Sequence, residues 1–337
     1  MSKPVRVFWR IFFWSLGGLG LFLLMINFGW LGSMPSIDDI ENPTASLASQ
    51  VYAQDGTLMG KFYLEDRINV QYKDISKHVV NALVATEDER FYSHSGIDLR
   101  SMFRVVFSLG TAGGGSTITQ QLAKNLFNTR SMEFGEDDPV YIGLLMKVDG
   151  LRTVIAKVKE WILAIRLERR YTKQEIMAMY LNEVSFGNNA YGIQVACRTY
   201  FQKDLKDVTM PEAATLIGLL QNPSLYDPRV RPEKTIERRN TVLGQLEKYE
   251  FLTEDDLLKM REAPLNLHYK VENQNTGAAP YFREAIRIQV LATLKEINKD
   301  RPENQQLNLY TSGLRIYTSI DSRMQKYAEE SVREHMQ

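Results

Sequence analysis

The longest hydrophobic run lies near the N-terminus, where residues 11–34 contain no charged side chain. At 1.5 Å per residue a helix of this length would be about 36 Å long, enough to cross a hydrocarbon layer of roughly 30 Å. Basic residues precede the run and acidic residues follow it, namely Lys3, Arg6, Arg10, Asp38, Asp39 and Glu41. The positive-inside rule therefore predicts a cytoplasmic tail at residues 1–10, one transmembrane anchor at 11–34, and the rest of the chain outside.

A cleaved signal peptide is the alternative interpretation of this run. Its apolar length exceeds the hydrophobic core of a signal peptide, and no Ala-x-Ala-like cleavage site follows it. Trp9, Trp14 and Trp30 would suit the membrane–water interfaces, where indole side chains are favoured. We therefore expect an anchor that is not cleaved.

Short β patterns flank a long helical stretch. Residues 49–63 alternate around an Asp55-Gly56 turn, and residues 307–321 alternate around Ser312-Gly313; both patterns are typical of β-hairpins. Helical periodicity dominates from about residue 76 to 260. The sequence therefore predicts a mainly α-helical chain with short β segments at the start of the folded part and at the C-terminal end.

Capping boxes mark the starts of two of these helices. Thr172 pairs with Glu175, and Thr209 pairs with Glu212, each just before an apolar stretch. Between the helical segments, residues 131–150 combine acidic residues, Gly and Pro with a small apolar patch. We expect a loop-like insert there.

Composition excludes several classes of function. Lys and Arg together number 41, as do Asp and Glu, so the bulk charge predicts no nucleic-acid partner. Cys197 is the single cysteine, which excludes an internal disulfide and a cysteine-based zinc site. The four histidines lack metal-ligand spacing such as H-E-x-x-H. A zinc enzyme is therefore not expected.

The first candidate for chemistry is the stretch GGGSTITQQLAKN, residues 113–125. Ser116 suits a helix N-cap, and apolar residues then recur four apart at Ile118, Leu122 and Leu126. The opposite face carries Thr117, Gln121, Lys124 and Asn125, with Gln120 beside them. A glycine-rich loop before a helix start offers backbone N–H groups to an anion, so a cradle for phosphate or for a polyhydroxylated ligand is predicted. A surface loop before a solvated helix face is the alternative.

A second candidate is the segment 85–98, which contains three consecutive acidic residues. Glu87, Phe91 and His94 are spaced i, i+4 and i+7, so one helical face would carry all three. A carboxylate held beside an aromatic side chain can serve as a general base. The alternative is a solvated acidic helix end.

A third candidate is the pair Lys157 and Glu160, spaced i, i+3 on one helix. The core stripe of that helix would consist of Ile155, Val158, Ile162 and Ile165. The alternative is an exposed ion pair, worth only about 0.3–0.5 kcal/mol.

Together these three segments resemble the peptidoglycan glycosyltransferases, glycosyltransferase family 51. The family's first motif, E-D-x-x-F-x-x-H-x-G, is matched by Glu87, Asp88, Phe91, His94 and Gly96. Its second, G-x-S-T-x-T-Q-Q-L-x-K-N, is matched by Gly114, Ser116, Thr117, Thr119, Gln120, Gln121, Leu122, Lys124 and Asn125. Its third, R-K-x-x-E, is matched by Lys157 and Glu160. Two later stretches, YLNEVSFGNNAYGI (180–193) and GLLQNPSLYDP (218–228), also resemble family motifs, and the likeness runs from about residue 48 to 245.

The resemblance implies a mainly α-helical, lysozyme-like domain of two lobes at residues 48–250, after one transmembrane helix. It also implies a reaction, in which the sugar 4-hydroxyl of one lipid II molecule attacks the anomeric carbon of the lipid-linked growing glycan strand. The reaction inverts the anomeric centre and releases undecaprenyl pyrophosphate. The enzyme would lie in the bacterial cytoplasmic membrane with its catalytic domain on the outer, periplasmic side, beside other cell-wall synthesis proteins.

Residue roles follow from the same resemblance. Glu87 would be the general base, and Glu160 the second glutamate, near the pyrophosphate of the donor. Substrate-binding positions would be Asp88, Ser116, Thr117, Gln120, Gln121, Lys124, Asn125, Arg130 and Lys157. Mg²⁺ or Mn²⁺ often assists in the family, but no dedicated metal site is visible in the sequence.

Two departures from the family pattern bear on these roles. Ala156 stands where the third motif usually has arginine, and Arg152, one helical turn earlier, is the candidate replacement. The segment 131–150 also lengthens the connection between the second and third motifs. Neither departure affects Glu87.

The C-terminal part resembles the start of a further domain. Residues 313–332 are similar to the segment that leads into the transpeptidase domain of bifunctional penicillin-binding proteins. No S-x-x-K followed by K-[ST]-G occurs, so we expect residues 251–337 to be a linker and the start of a following domain, without a transpeptidase.

Other functions and an additional membrane contact stay open at this point. A lytic enzyme could use Glu87 as an acid to cleave glycan, and a non-catalytic anchored scaffold needs no acid at all. Between the first two motifs, residues 97–110 mix Arg100 and Arg104 with large apolar side chains. This pattern fits a segment that enters the membrane interface, and it fits an ordinary core helix equally well.

Overall fold

The computed structural model describes residues 3–35, 49–62, 68–107, 114–127, 129, 148–270, 278–302 and 305–336. The helices are α1 (Lys3–Asn27), α2 (Lys77–Glu87), α3 (Leu99–Phe107), α4 (Ile118–Leu126), α5 (Asp149–Arg170), α6 (Lys173–Glu183), α7 (Ile193–Phe201), α8 (Met210–Leu219), α9 (Pro232–Lys248), α10 (Glu254–Glu262), α11 (Pro280–Asn298) and α12 (Ser322–His335). The strands are β1 (Ser49–Tyr52), β2 (Leu58–Phe62) and β3 (Arg315–Tyr317). The prediction of a mainly α-helical chain with short β segments near both ends of the folded part is confirmed.

The chain divides into two compact units. The first comprises Met1–Pro43 and Leu83–Tyr180, and the second comprises Thr44–Ala82 and Leu181–Gln337. Residues 251–337 thus belong to the same unit as the β1–β2 region. The domain boundaries proposed from the sequence, at 48 and 250, stay predictions.

The β segments form one three-stranded sheet in the order β2-β1-β3. The first predicted hairpin is confirmed: β1 and β2 pair antiparallel around the Asp55-Gly56 turn, where Gly56 has a φ of +83°. The second predicted hairpin is wrong, because β3 pairs parallel to β1 instead. The backbone N–H groups of Thr311 and Ser312 both donate to the carbonyl of Asn308, so a tight turn precedes β3. The unpaired edge of β1 then supplies the hydrogen bonds that β3 needs.

Helix α1 is long and apolar enough to cross a membrane, a criterion of length and composition that a signal sequence would also satisfy. It begins at Lys3 and ends at Asn27, so the helix begins and ends before the apolar run at 11–34 does. The membrane span at 11–34 stays a prediction. The chain turns after Asn27 because Gly29 and Gly32 adopt φ values of +76° and +115°. The helical part of the anchor therefore ends before the predicted boundary at Met34.

We refer to α1 and the turn after it as the anchor segment, after its predicted role, and its C-terminal end packs directly on α5. Ile26 and Leu31 form a buried cluster with Ile155 and Val158. Two cations of α5 add polar contacts: Lys159 Nζ donates to the carbonyl of Ser33 (2.9 Å), and Arg166 donates to Asn27 Oδ1 (2.9 Å). Burial lowers the pKa of Lys159. Helix α5 is thereby fixed to the anchor at several points along its length.

Helix α5 begins inside the segment 131–150 that was predicted to be a loop. Val148 is its N-cap and Asp149 its first residue, so the end of the predicted insert at 131–150 is helical. Residues 131–147 of that insert lie outside the described residues. The predicted core stripe is confirmed in part: Ile155 (0% exposed) and Val158 (6% exposed) are buried, whereas Ile162 and Ile165 are only half-buried.

The capping box at the start of α6 is confirmed. The N–H and hydroxyl of Thr172 both donate to Glu175 Oε2 (2.8 Å each), and the Glu175 N–H donates back to Thr172 Oγ1 (3.3 Å). These bonds from Thr172 hold the pKa of Glu175 below its ordinary value. The second box, Thr209 with Glu212, is confirmed at the start of α8.

We expect Thr172→Ala to lower the free energy of unfolding by about 1 kcal/mol at neutral pH, because alanine cannot accept the Glu175 N–H. The lowered pKa of Glu175 makes its share of the stabilisation present above the unfolded-state pKa and lost as the pH falls through the folded-state pKa. The difference from wild type should therefore shrink below about pH 4. Chemical denaturation at pH 7 and pH 3 measures both values.

Thr241→Ala is the matched control, since Thr241 is an exposed threonine within α9. It should change the free energy of unfolding by less than about 0.5 kcal/mol. Equal losses in the two variants would contradict the assignment of the cap.

Candidate active site

Glu87 is the last residue of α2, and its side chain is half-buried. Its Oε2 accepts a hydrogen bond from Gln121 Nε2 (2.8 Å), and Gln121 Oε1 accepts one from the hydroxyl of Tyr180 (2.9 Å). Burial, and secondarily the charge of Glu87, raises the pKa of Tyr180 well above its ordinary value, so Tyr180 remains a donor. The Gln121 amide is thereby oriented with its NH₂ group toward Glu87. The carboxylate of Glu87 is thus held by an uncharged donor.

The prediction that Glu87, Phe91 and His94 share one helical face is wrong. Helix α2 ends at Glu87, and Phe91–Ser93 forms a separate 3₁₀ turn. The next residue, Asp88, still donates its backbone N–H to Val84 (3.2 Å), while its side chain accepts the backbone N–H of Ile118 (3.0 Å) at the start of α4. His94 Nε2 lies 3.0 Å from Asp88 Oδ1 and supports the same carboxylate.

Gly96 lies where the turn after the first motif meets α5. Its φ is +91°, and a Cβ atom on it would lie 2.8 Å from the carbonyl carbon and oxygen of Ala164. The carbonyl oxygen of Gly96 accepts hydrogen bonds from Thr117 Oγ1 (2.7 Å) and Gln120 Nε2 (3.3 Å). Gly96 therefore contacts both α5 and the start of α4.

The start of α4 differs from the sequence-based expectation. Thr117, not Ser116, is the N-cap, and its hydroxyl accepts the Gln120 N–H (3.2 Å). Thr117 is 2% and Gln120 0% exposed, so both side chains point into the protein rather than onto an open face. Asp88 and Thr117 already occupy the N–H groups of Ile118 and Gln120. An anion near this helix start would therefore depend mainly on side chains and not on a cradle of backbone N–H groups.

Lys157 connects α5 to the loop before α4. Its Nζ lies 2.8 Å from Glu160 Oε2 and donates to Ser116 Oγ at 2.7 Å. Glu160 is 1% exposed, whereas Lys157 is half-buried, so the pair is not the solvated ion pair that the sequence left open. Breaking a buried pair by removing one partner leaves an uncompensated charge, which is costly. Lys157 and Ser116 form a small polar group that a phosphate could reach.

The remaining predicted site positions differ in accessibility. Lys124 and Asn125 are exposed on α4, and Asp88 is buried. Arg130 lies outside the described residues. Ala156 is buried on α5, while Arg152, its candidate replacement, is half-buried one turn earlier. Helix α4 and the loop before it thus carry groups that contact both Glu87 and Lys157.

Glu168 and Lys173 make contacts around the site that were not predicted from the sequence. Glu168 of α5 accepts hydrogen bonds from Thr119 Oγ1 (2.6 Å) and from Lys173 Nζ (2.7 Å). The Lys173 ammonium also lies 4.3 Å from the ring centroid of Phe91, a cation–π contact. Glu168, Lys173 and Tyr180 thus contact residues of the first two motifs and help to hold them in place. Tyr180 opens the YLNE stretch, but nothing in that pattern indicates its partner 59 positions away.

The two later stretches that resemble family motifs meet in the second unit. Asn188, with a φ of +51°, donates to the hydroxyl of Tyr200 (2.9 Å) and to Asp227 Oδ2 (3.2 Å). Arg229 pairs with Asp227 at 3.0 Å, and the Tyr200 hydroxyl donates to the carbonyl of Phe186. Burial raises the pKa of Tyr200 to about 12. This network fixes the loop around Asn188 in a backbone conformation that few residues adopt.

No metal centre is found in the described part of the chain, where no group of three His, Cys, Asp or Glu side chains is placed to hold an ion. Asp88 is engaged with His94 and Ile118, and Glu160 with Lys157. Whether Mg²⁺ or Mn²⁺ is required stays a prediction.

Comparisons with known proteins agree with the motif resemblance. A family model described as Transglycosylase matches residues 55–247. The chain is 32% identical over 306 residues to penicillin-binding protein 1A of Pseudomonas aeruginosa, covering 90% of this chain and 33% of that protein. It is 35% identical over 291 residues to penicillin-binding protein 1F of Bacillus subtilis, covering 85% and 37% respectively. A crystal structure of penicillin-binding protein 1A from Haemophilus influenzae aligns with a TM-score of 0.43 and 21% identity, covering 85% of this chain and 29% of that one. The chain thus spans about a third of the length of these relatives.

We expect Gly96→Ala to lower the free energy of unfolding by at least about 2 kcal/mol, because a side chain is strained at positive φ and would also clash with the backbone of α5. Gly114→Ala is the control: Gly114 is exposed, and a Cβ atom there would meet nothing within 4 Å. Its effect should stay within about 0.5 kcal/mol. Chemical denaturation of the two variants checks this, and similar stability of both would refute the importance of the close approach at Gly96.

Proposed function

The chain belongs to the transglycosylase family, and we propose that it is a peptidoglycan glycosyltransferase for cell-wall synthesis, polymerising lipid II into glycan strands with release of undecaprenyl pyrophosphate. The proposal rests mainly on two glutamates that are linked in different ways to the start of α4. Glu87 is bonded to the uncharged Gln121 of α4, while the Lys157–Glu160 pair reaches Ser116 just before the same helix. A base and a phosphate-binding cation are the two functions that this reaction requires.

Glu87 is the proposed general base. A sugar hydroxyl is a very weak acid, so its attack on the donor sugar needs a group that takes the proton as the new bond forms. Glu87 is half-buried, so a substrate can reach it, and no cation is bonded to its carboxylate among the described contacts. Glu160 is 1% exposed and bonded to Lys157, so a substrate hydroxyl cannot reach its carboxylate as it can reach that of Glu87.

Lys157 and Ser116 are proposed to bind the pyrophosphate of the donor. As the leaving group departs, negative charge grows on its bridging oxygen, and a fixed ammonium group stabilises that charge. The Lys157 ammonium donates both to Glu160 and to Ser116, so it is positioned before substrate binds. Lys124 and Asn125, exposed on α4, are further candidates for substrate contacts.

A divalent metal would be held mainly by the phosphates of the substrate. The described carboxylates near the site are already engaged by protein groups, and hard cations such as Mg²⁺ commonly bind through one or two carboxylates plus phosphate oxygens. Any metal would add positive charge at the pyrophosphate. We assign no step of the reaction to it.

The proposed location is the bacterial cytoplasmic membrane, with α1 as a single anchor. The basic residues before the apolar run favour a cytoplasmic N-terminus, which puts the catalytic residues on the outer, periplasmic side. Leu99 and Phe103 of α3 are 61% and 60% exposed, and Arg104 on the same helix pairs with Glu89. These exposed apolar side chains support a contact of α3 with the membrane interface, in addition to the anchor α1. Other cell-wall synthesis proteins are proposed partners.

Glu87→Gln is expected to reduce polymerisation of labelled lipid II by a factor of about 10² to 10⁴ while binding is kept, because glutamine is nearly isosteric but cannot accept a proton. Glu89→Gln is the matched control, since Glu89 is a half-buried glutamate of the same segment whose partner is Arg104. It should retain nearly full activity. A Glu87→Gln protein that polymerises at the wild-type rate would overturn the base assignment. If the wild-type protein cleaved glycan instead of forming polymer, a lytic enzyme would be favoured. If the wild-type protein left lipid II unchanged, a scaffold would be favoured.

Glu160→Gln should weaken both substrate binding and turnover, because Lys157 loses the charge that holds it in place. A double-mutant cycle with Lys157→Met tests whether the pair acts as a unit: the loss in the double variant should be clearly smaller than the two single losses added in free-energy terms. Rates measured at saturating and limiting lipid II separate the two effects. Additive losses would show that Glu160 acts independently of Lys157.

A further inference from the structure

A groove, the α1 groove, runs along one face of α1, with a volume of about 530 Å³. The residues that line it recur every three or four positions, which is the spacing of a single helix face; they are Arg6, Trp9, Arg10, Phe13, Trp14 and Gly17. At Gly17 a Cβ atom would meet nothing within 4 Å, so open space continues where another residue would place a side chain. The α1 groove therefore has two cations at one end and a small recess at the other.

Aromatic packing fixes the walls between these two ends. Trp9 and Phe13 are stacked with their ring centroids 5.8 Å apart, and Trp9 meets Phe12 edge to face at 5.5 Å. Such aromatic pairs are favourable beyond the area that they bury. Trp9 and Phe13 are nevertheless exposed, as is Trp14. The groove thus presents ordered apolar surface that no other described part of the chain covers.

The charge at the first end is not balanced within the helix. Arg6 and Arg10 are four residues apart, so their guanidinium groups project from neighbouring turns of the same face. Helix α1 contains no acidic residue, and Asp38 is the first acidic residue of the chain. A ligand that carries negative charge would complement this pair of arginines.

The position of the groove along α1 sets its depth in a membrane. Ile26, at the opposite end of the helix, packs on α5. The helix between Arg10 and Ile26 is about 24 Å long, and a hydrocarbon layer is roughly 30 Å thick. If α1 spans the bilayer, Arg6 and Arg10 therefore lie near the phosphates of the cytoplasmic leaflet. Gly17 then lies about 10 Å deeper, among the acyl chains.

We propose that the α1 groove binds one anionic phospholipid of the cytoplasmic leaflet. The phosphate of this lipid pairs with Arg6 and Arg10, and one of its acyl chains lies along Trp9 and Phe13 as far as Gly17. The inference rests on the proposed role of α1 as an anchor.

The shape and the charge of the α1 groove together select this occupant. A free phosphate ion would leave the apolar walls uncovered, and a zwitterionic lipid brings no net charge to the two arginines. A second copy of α1 would have the same orientation in the membrane, so its own arginines would face Arg6 and Arg10 and repel them. An anionic phospholipid satisfies both ends of the groove.

Native mass spectrometry of the full chain in detergent micelles tests the proposal. The probes are a phosphatidylglycerol and a phosphatidylcholine with identical acyl chains, each added at a low molar ratio to the protein. The wild-type protein should retain one phosphatidylglycerol and several-fold less phosphatidylcholine. Glycerol 3-phosphate, which has the anionic group without acyl chains, should not displace the bound lipid. Equal retention of both lipids, retention of neither, or displacement by glycerol 3-phosphate would overturn the proposal.

Single charge variants locate the headgroup. Arg6→Gln and Arg10→Gln should each lower the retention of phosphatidylglycerol about fivefold, since one cation beside anionic lipid contributes on this scale. Lys3→Gln is the matched control, because it removes the same charge from the same helix, one turn before Arg6 and outside the lining residues of the groove. It should change retention by less than about twofold. Equal losses in all three variants would show only a general attraction to basic residues and would overturn the proposal.

A second pair of variants tests the deep end of the groove without changing the charge. Gly17→Leu places a side chain in the recess and should lower the retention of phosphatidylglycerol several-fold. Gly18→Leu is the control, because a Cβ atom there also meets nothing within 4 Å, but Gly18 is not among the lining residues. Equal retention by these two variants would contradict an acyl chain at Gly17. None of these measurements depends on catalytic activity, so failure here is distinguishable from failure of the proposed function.

Discussion

The close approach of the Gly96 turn to the backbone of α5 fixes the geometry of the candidate site. Because a Cβ atom at Gly96 would lie 2.8 Å from the carbonyl group of Ala164, the turn can reach this helix only without a side chain. The same residue's carbonyl then accepts the side chains of Thr117 and Gln120, which sets the start of α4 against α5. Ser116 meets Lys157 and Gln121 meets Glu87 as consequences of that arrangement.

The two glutamates acquire different properties from their neighbours. Glu87 ends a helix, stays half-buried and is held by an amide whose orientation is set by the buried hydroxyl of Tyr180. Glu160 is fully buried and paired with an ammonium group. The same type of side chain is thus reachable and bonded to an uncharged amide in one place, and buried as a fixed counter-charge in the other.

Local patterns in the sequence predicted much of this architecture, and its failures have physical causes. Capping boxes and apolar periodicity located helices α4, α5 and α6, because these signals act within a few residues. The shared face of Glu87 and His94 was wrong because α2 ends at Glu87, and the side chain of Asp88 contacts the start of α4, 30 positions away. Thr117 and Gln120 were expected on an open face, but the Gly96 turn covers them. A single sequence does not show such long-range partners.

The N-terminal helix α1, the proposed anchor, also bears on the position of the proposed phosphate site. Lys157 and Glu160 are on α5, and Lys159 of the same helix donates to the carbonyl of Ser33 after α1. Only one residue separates Lys157 from Lys159 along the chain. A shift of α1 that carried α5 with it would therefore move the Lys157 ammonium, the proposed phosphate ligand, and its contact with Ser116. A lipid-linked substrate presents its pyrophosphate at a height set by the bilayer. In the proposed function, the packing of α5 on α1 would hold the Lys157 ammonium at a height set by the same bilayer, and this would reduce the positional freedom lost when the substrate binds.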